Sequence, residues 1–232
     1  MLYLSDYEIQ ALLLSLKVAA YAMIWLIPLG IFLAWLLAKK QFVGKSILES
    51  IIHLPLVLPP VVIGYLLLVT MGKQGLIGRW LDDTFGIVFS FSWKGAALAC
   101  VVVALPLMVR SIKLSLDSID SKLEQAAATL GASPIRVFFT ITLPLMLPGI
   151  ITGTMLSFAR SLGEFGATIS FVSNIPGETQ TIPLAMYTFI ETPGSELEAA
   201  RLCAISIVIA LASLIFSEWL TKKSSARLGA SS

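Results

Sequence analysis

The sequence predicts an all-α, polytopic membrane protein, a single transmembrane domain over residues 1–232 with five spanning helices, its N-terminus outside and its C-terminus in the cytoplasm. Three observations carry that reading: an apolar composition, five separate apolar runs, and an uneven distribution of Lys and Arg between the connections. Hydrophobic residues make up 57% of the chain and charged ones 13%, where a soluble domain carries about a quarter charged. The mean hydropathy is +0.90. Lipid is therefore the solvent for most of these side chains. The formal net charge of +2 and the absence of a basic face exclude nucleic acid as a partner.

The apolar runs lie near residues 11–38, 50–71, 94–112, 140–164 and 199–220, each close to the ~20 residues a spanning helix needs. The first follows acidic Asp6 and Glu8, lacks the basic leader of a signal peptide, and is expected to stay as an anchor. Ser5 with Glu8 has capping-box spacing, which starts that helix in the outer interface beside Tyr3 and Tyr7. With the N-terminus outside, the inner connections hold ten cations: Lys39, Lys40, Lys45, Arg110, Lys113, Lys122, Arg136, Lys222, Lys223 and Arg227. The outer ones hold three, Lys73, Arg79 and Lys94. Short connections rich in Lys and Arg stay in the cytoplasm, which fixes the direction. Trp35 and Trp219 near inner ends, and Trp93 near an outer one, fit aromatic belts. Cys100 and Cys203 lie in apolar runs and read as small hydrophobes, not as a disulfide. Pro and Gly, with Asn174 and several Glu, interrupt residues 165–199, expected to form an outer loop with a short helix near Ile182 to Ile190. A gate, a docking surface or plain packing are the roles open to that loop.

The inner connection at about 113–144 carries the most information. Ser121 is placed to cap a short helix with Glu124 at its third position, and Gly131 supplies a left-handed exit. Ser133 then caps a second helix with Pro134 at its first position, where a missing N–H costs nothing. Helix, glycine bend and helix make a compact knob. The segment resembles the EAA loop of bacterial ABC-importer permeases. Gln125, Ala126 and Ala127 stand at the E-A-A positions, Gly131 at the glycine, and Ile141, Leu143 and Pro144 at I-x-L-P. The acidic slot of the pattern holds Gln125, with Glu124 immediately before it, and the polar contact to the ATPase is open to either.

The stretches His53 to Leu68, Pro144 to Ile150, Phe158 to Thr168 and Asn174 to Pro183 resemble permeases of molybdate ABC transporters. That resemblance implies the type I ABC-importer permease fold in the bacterial inner membrane, with import of molybdate or tungstate by alternating access. It also implies a homodimer of permeases, two copies of an ATP-binding subunit that carry the ATP and Mg, and a periplasmic molybdate-binding protein. No cofactor is implied on this chain, whose loop would dock as a coupling helix in a cleft of the ATPase. Sulfate and thiosulfate permeases share related Gly-Glu-Phe-Gly segments and form the nearest alternative. An ion-coupled secondary transporter would show internal repeats and midplane carboxylates, of which the chain offers only Glu164 and no repeat.

Gly153, Ser157, Arg160, Ser161, Glu164 and Thr168 recur at steps of three and four, a polar stripe on one face of a spanning helix. Ionisable groups at membrane depth are costly and face a bundle interior or a wet cavity. The stripe is thus expected to border a translocation path, or to lock helices through an Arg160–Glu164 pair four residues apart. Pro59 and Pro60, after Pro55 and before Gly64, point to a broken helix at a gate or to a packing kink. His53 reads as an interfacial side chain. Gly44-Lys45-Ser46 lacks the earlier glycine of a phosphate loop, and no zinc pair or nucleophile elbow occurs. Chemistry must come from a partner. Five helices give too little wall for a path, so a two-fold dimer is expected.

Overall fold

The computed structural model describes residues 4–229, without the side chains of residues 217 and 222–229. Tyr3 and the side chains of Lys222, Lys223 and Arg227, invoked above for orientation, therefore lie outside the described residues. All regular structure among the described residues is helical.

Helix α1 (Asp6–Lys39) starts at the expected capping box, with Ser5 and Glu8 satisfying each other's backbone groups. Its 34 residues extend about 50 Å, enough to cross a bilayer with both interfaces. The second apolar run is two helices. Helix α2 (Lys45–His53) passes through a 3-10 turn at Leu54–Leu56 and is followed by α3 (Pro60–Met71), with a bend of 115° between the two segments. The cause is local: Pro59 precedes another proline, which disfavours helical backbone, and it takes an extended conformation with ψ 134°. A broken helix and a packing kink were both open from the sequence, and a sharp corner is found. Helix α4 (Leu76–Phe85), unforeseen in the sequence, follows α3 and ends on Gly86 at φ 64°.

Helix α5 (Trp93–Asp117) is the central column, with 67% of its most apolar window buried. It packs against α1 on one side and α8 (Leu143–Leu162) on the other. Between them run α6 (Ser121–Thr129) and α7 (Pro134–Val137), and a π turn at Phe138–Thr142 joins α7 to α8, so the fourth span is continuous from Pro134 to Leu162. Lipid tails are as apolar as Leu, so these contacts rest on close fit and small residues. Gly153 is one: a Cβ there would stand 3.0 Å from the Met108 sulfur and 3.2 Å from Ser111 Cβ, both on α5.

The chain then forms α9 (Gly166–Val172), α10 (Ile182–Glu191) in place of the helix expected near Ile182 to Ile190, and α11 (Glu196–Gly229). With α1, α5, the α7–α8 unit and α11 as long spans, the bent α2–α3 pair makes a fifth. At one end of the bundle Arg201 of α11 grips the fully buried Glu8 of α1 through two bonds, 2.9 and 3.1 Å. The Ile182 N–H at the start of α10 donates to Ser15 Oγ at 2.7 Å, which binds the three helices into one unit. Sequence reading did not foresee this clamp.

Candidate functional site

Two places gather the residues singled out in the sequence: the knob between α5 and α8, and a break between α8 and α9. The knob has the expected outline with one correction. Asp120, not Ser121, caps α6, its carboxylate accepting from the Lys122 N–H at 2.9 Å. Glu124 is thereby released from capping. Its two oxygens accept from Lys39 Nζ at the end of α1 and from Thr142 Oγ1 in the π turn, each at 2.7 Å. Burial by itself would raise the Glu124 carboxyl, but the hydrogen bonds from Lys39 and Thr142 and the lysine charge prevail and hold it below its ordinary value. Glu124 therefore braces the knob against α1 and the base of the fourth span.

Gly131 has φ +84°, and no atom lies within 4 Å of where its Cβ would be, so only backbone conformation demands glycine there. Ser133 caps α7 through the Arg136 N–H at 3.4 Å, with Pro134 at the first turn as expected. Gln125 and Ala126 are exposed and Ala127 is half-buried. Leu130 and Ile135 are 88% and 72% exposed, an apolar tip left largely uncovered by the described residues. Ile141, Leu143 and Pro144 are half-buried at the root of the fourth span. The knob thus divides into an internally braced side and an unpartnered side built of small and apolar residues.

The polar stripe is divided as well. Helix α8 ends at Leu162, so Glu164 lies in the break and Thr168 on a separate helix. Glu164 itself accounts for this: its Oε1 accepts the Ala167 N–H at 2.7 Å, a donor that a continuing helix would give to the Gly163 carbonyl. Thr168 Oγ1 donates to the Phe165 carbonyl at 2.8 Å. Ser157 and Ser161 are buried in the contact with α5, where Ser157 Oγ donates to the Ala104 carbonyl at 3.3 Å and Ser161 Oγ to the Ser157 carbonyl at 2.8 Å. These hydroxyls satisfy backbone acceptors within the chain, Ser157 across the contact with α5 and Ser161 within α8 itself.

Arg160 is the member of the stripe that reaches outward. Its Nη1 stands 2.7 Å from Glu164 Oε2, out of hydrogen-bond alignment, so the pairing is one of charge. The Glu164 side chain is 1% exposed and that of Arg160 34%. A buried carboxylate this deep requires its counter-charge, and the part of the guanidinium left free retains donors for an anion. The break also meets the corner before α3. A Cβ on Gly166 would fall 2.8 Å from Pro60 Cβ, and Gly64 of α3 lies as tightly against Ala167. Pro59 is exposed beside this contact and Pro60 half-buried in it. The corner and the break, far apart in sequence, are packed together. The Gly-Glu-Phe-Gly spacing was the signal available for that approach.

The family of binding-protein-dependent transport system inner membrane components matches residues 26–226. Over 222 residues the chain is 66% identical to the molybdenum transport system permease protein ModB of Haemophilus influenzae, covering 96% of this chain and 97% of that one. Over 226 residues it is 66% identical to ModB of Escherichia coli K12, covering 97% and 99%. Among solved structures, a bacterial ABC transporter that imports the acidic polysaccharide alginate superposes with a TM-score of 0.75 at 17% identity, covering 94% of this chain and 80% of that chain. At that identity the likeness is one of fold.

Proposed function

The chain belongs to the family of binding-protein-dependent transport system inner membrane components, and from that premise we propose that it is the membrane-spanning permease of an ATP-driven molybdate importer of the inner membrane. The observation that carries the cargo is the 66% identity to molybdenum permeases over nearly the whole of both chains. Hydrolysis belongs to an ATP-binding partner, which carries the ATP and Mg, and two copies of that partner serve a permease homodimer. A periplasmic molybdate-binding protein delivers the oxyanion.

In this reading the N-terminus is periplasmic and the C-terminus cytoplasmic, which puts the knob on the ATPase side. Gln125, Ala126, Ala127, Leu130 and Ile135 face the ATPase, and the exposure of all but the half-buried Ala127 supports the assignment. Glu124 points the other way, so the polar contact falls to Gln125. Nucleotide-driven closure of the ATPases moves the two knobs together. The Glu124 brace carries that movement to α1 and, through Thr142, to the fourth span. Nucleotide shifts the permease only as far as it binds one conformation more tightly than the other.

The path runs at the dimer interface past the break and the corner, with Arg160, Glu164, Pro59 and Pro60 as its elements. Molybdate is a small dianion, and an arginine without a counter-charge would trap it. Glu164 offsets the charge, leaving Arg160 a donor for passage. Within the outer loop at 165–199, the exposed residues 175–178 and 190–194 are the surface turned toward the binding protein.

Proteoliposomes holding this chain, an ATP-binding subunit and a molybdate-binding protein provide the test. Uptake of labelled molybdate should require all three with ATP, and unlabelled tungstate should compete better than sulfate. Stronger competition by sulfate or thiosulfate would reassign the cargo to those anions. Uptake by this chain alone under an ion gradient would make it a secondary transporter.

A further inference from the structure

At the end of α1 an apolar groove opens beside a cation. Two adjoining cavities of about 730 and 330 Å³ share Trp35, Phe138 and Phe139, each within the range of small-molecule sites, ~300–1,000 Å³. The larger reaches Lys39 and Lys40, and the smaller extends along α1 past Phe32 to Pro28. The two lysines differ. Lys39 is neutralised by Glu124 at 2.7 Å. Lys40 is exposed, no carboxylate pairs with it among the described residues, and its ammonium lies 5.4 Å from the centre of the Trp35 ring. The groove therefore presents an available positive charge at one end and a wall of aromatic and aliphatic side chains at the other.

We propose that this groove binds an anionic phospholipid, with the phosphate on Lys40 and one acyl chain lying between Phe32 and Phe139 toward Pro28. A soluble anion would leave the apolar length unfilled, and an uncharged apolar molecule would leave Lys40 unpaired. A phospholipid matches both ends in the right order: the cation sits at the helix terminus, where headgroups lie, and the groove runs from there into the span. Trp35 beside Lys40 is the aromatic expected at that depth. The bound lipid rests against Phe138, in the turn that also holds Thr142, and so against the base of the knob. The inference requires only that α1 spans the membrane and stands apart from the cargo.

Native mass spectrometry of the purified chain, titrated with phosphatidylglycerol or with phosphatidylcholine of the same acyl chains, tests this. Phosphatidylglycerol should bind about five-fold more tightly, the scale of one lysine at a membrane surface. Lys40→Gln should remove that preference, Lys73→Gln at the far end of the bundle should leave it, and Phe32→Ala should weaken both lipids alike. Equal binding of the two lipids, or equal effects of Lys40→Gln and Lys73→Gln, would overturn the proposal. So would displacement by inorganic phosphate, which would mark a simple anion site. Cross-linking of Phe139→Cys between two copies would assign the groove to a second copy of the chain and overturn it as well.

Discussion

Glu124 and Lys39 stand 2.7 Å apart across 85 residues of sequence, joining the knob to the end of the first span. Thr142 donates to the other oxygen of the same carboxylate. One side chain thus connects the surface assigned to the ATPase with two spans. Glu124→Gln keeps the shape and removes the charge. We expect insertion and ATPase binding to persist while molybdate moved per ATP falls several-fold, as measured in proteoliposomes, and Gln125→Ala to weaken ATPase binding instead. Identical effects of the two substitutions would remove the division of labour between them.

The same pair has a pH signature. The Glu124 carboxyl is lowered in the folded chain from its ordinary 4.5, so its stabilisation is fully present above that value and is lost as pH falls through the lowered one. Thermal unfolding of wild type and Glu124→Gln, followed against pH, should therefore differ by a constant amount from 5 to 8 and converge only under stronger acid. The pair is a quarter exposed, and the constant difference should amount to about 1 kcal/mol.

Gly131 is required for its backbone alone, since its φ is +84° and the space about its Cβ is empty. Substitution should cost in the order Asn, Ala, Val, with about 1 kcal/mol for Ala. Gly131→Val should leave the permease inserted and reduce coupled uptake, and Gly131→Asn should retain most of it. Equal activity of the Val and Asn forms would show that the bend does not set the position of the knob.

Gly166 is required for space. A Cβ would meet Pro60 at 2.8 Å, and neither a proline ring nor helix backbone yields readily. Gly166→Val should destabilise the detergent-solubilised protein by about 1–3 kcal/mol, the usual cost of overpacking, and lower its melting temperature. A smaller loss than that of Gly163→Val, where a Cβ would be 3.9 Å from its nearest neighbour, would contradict the packing of corner on break.

Arg160 carries two roles that a double substitution separates. Arg160→Ala leaves Glu164 charged and buried, a loss of about 3–5 kcal/mol where a partner is removed. Adding Glu164→Gln removes the orphaned charge and should restore folding, seen as recovered yield and monodispersity. Transport should stay impaired in the double variant if Arg160 serves the path. Recovery of both folding and transport would make the pair a lock alone.

Much of this was legible in the sequence because its signals are local. Hydropathy marks long spans, and Ser133, Pro134 and Gly131 each act within a turn. Sequence reading places the cap at Ser121; the observed cap, Asp120, stands one position earlier, where its carboxylate accepts from the Lys122 N–H and Glu124 is left to Lys39 and Thr142. Helical periodicity carried the polar stripe past Gly163 because no periodic rule registers Glu164 taking a backbone donor. Helix α4 is too short and too mixed for a span-length hydropathy window. The junctions Lys39–Glu124, Pro60–Gly166 and Glu8–Arg201 join distant segments, and a single sequence holds no distance between them.

The central claim, that the knob is the cytoplasmic handle by which a separate motor works the pore, is tested most directly by a thiol at its tip. With Cys100 and Cys203 replaced by Ala, Gln125→Cys should cross-link to the ATP-binding subunit, at a yield that changes when ATP is added. Labelling of that thiol in intact cells by a membrane-impermeant reagent, without any cross-link to the ATPase, would contradict the account.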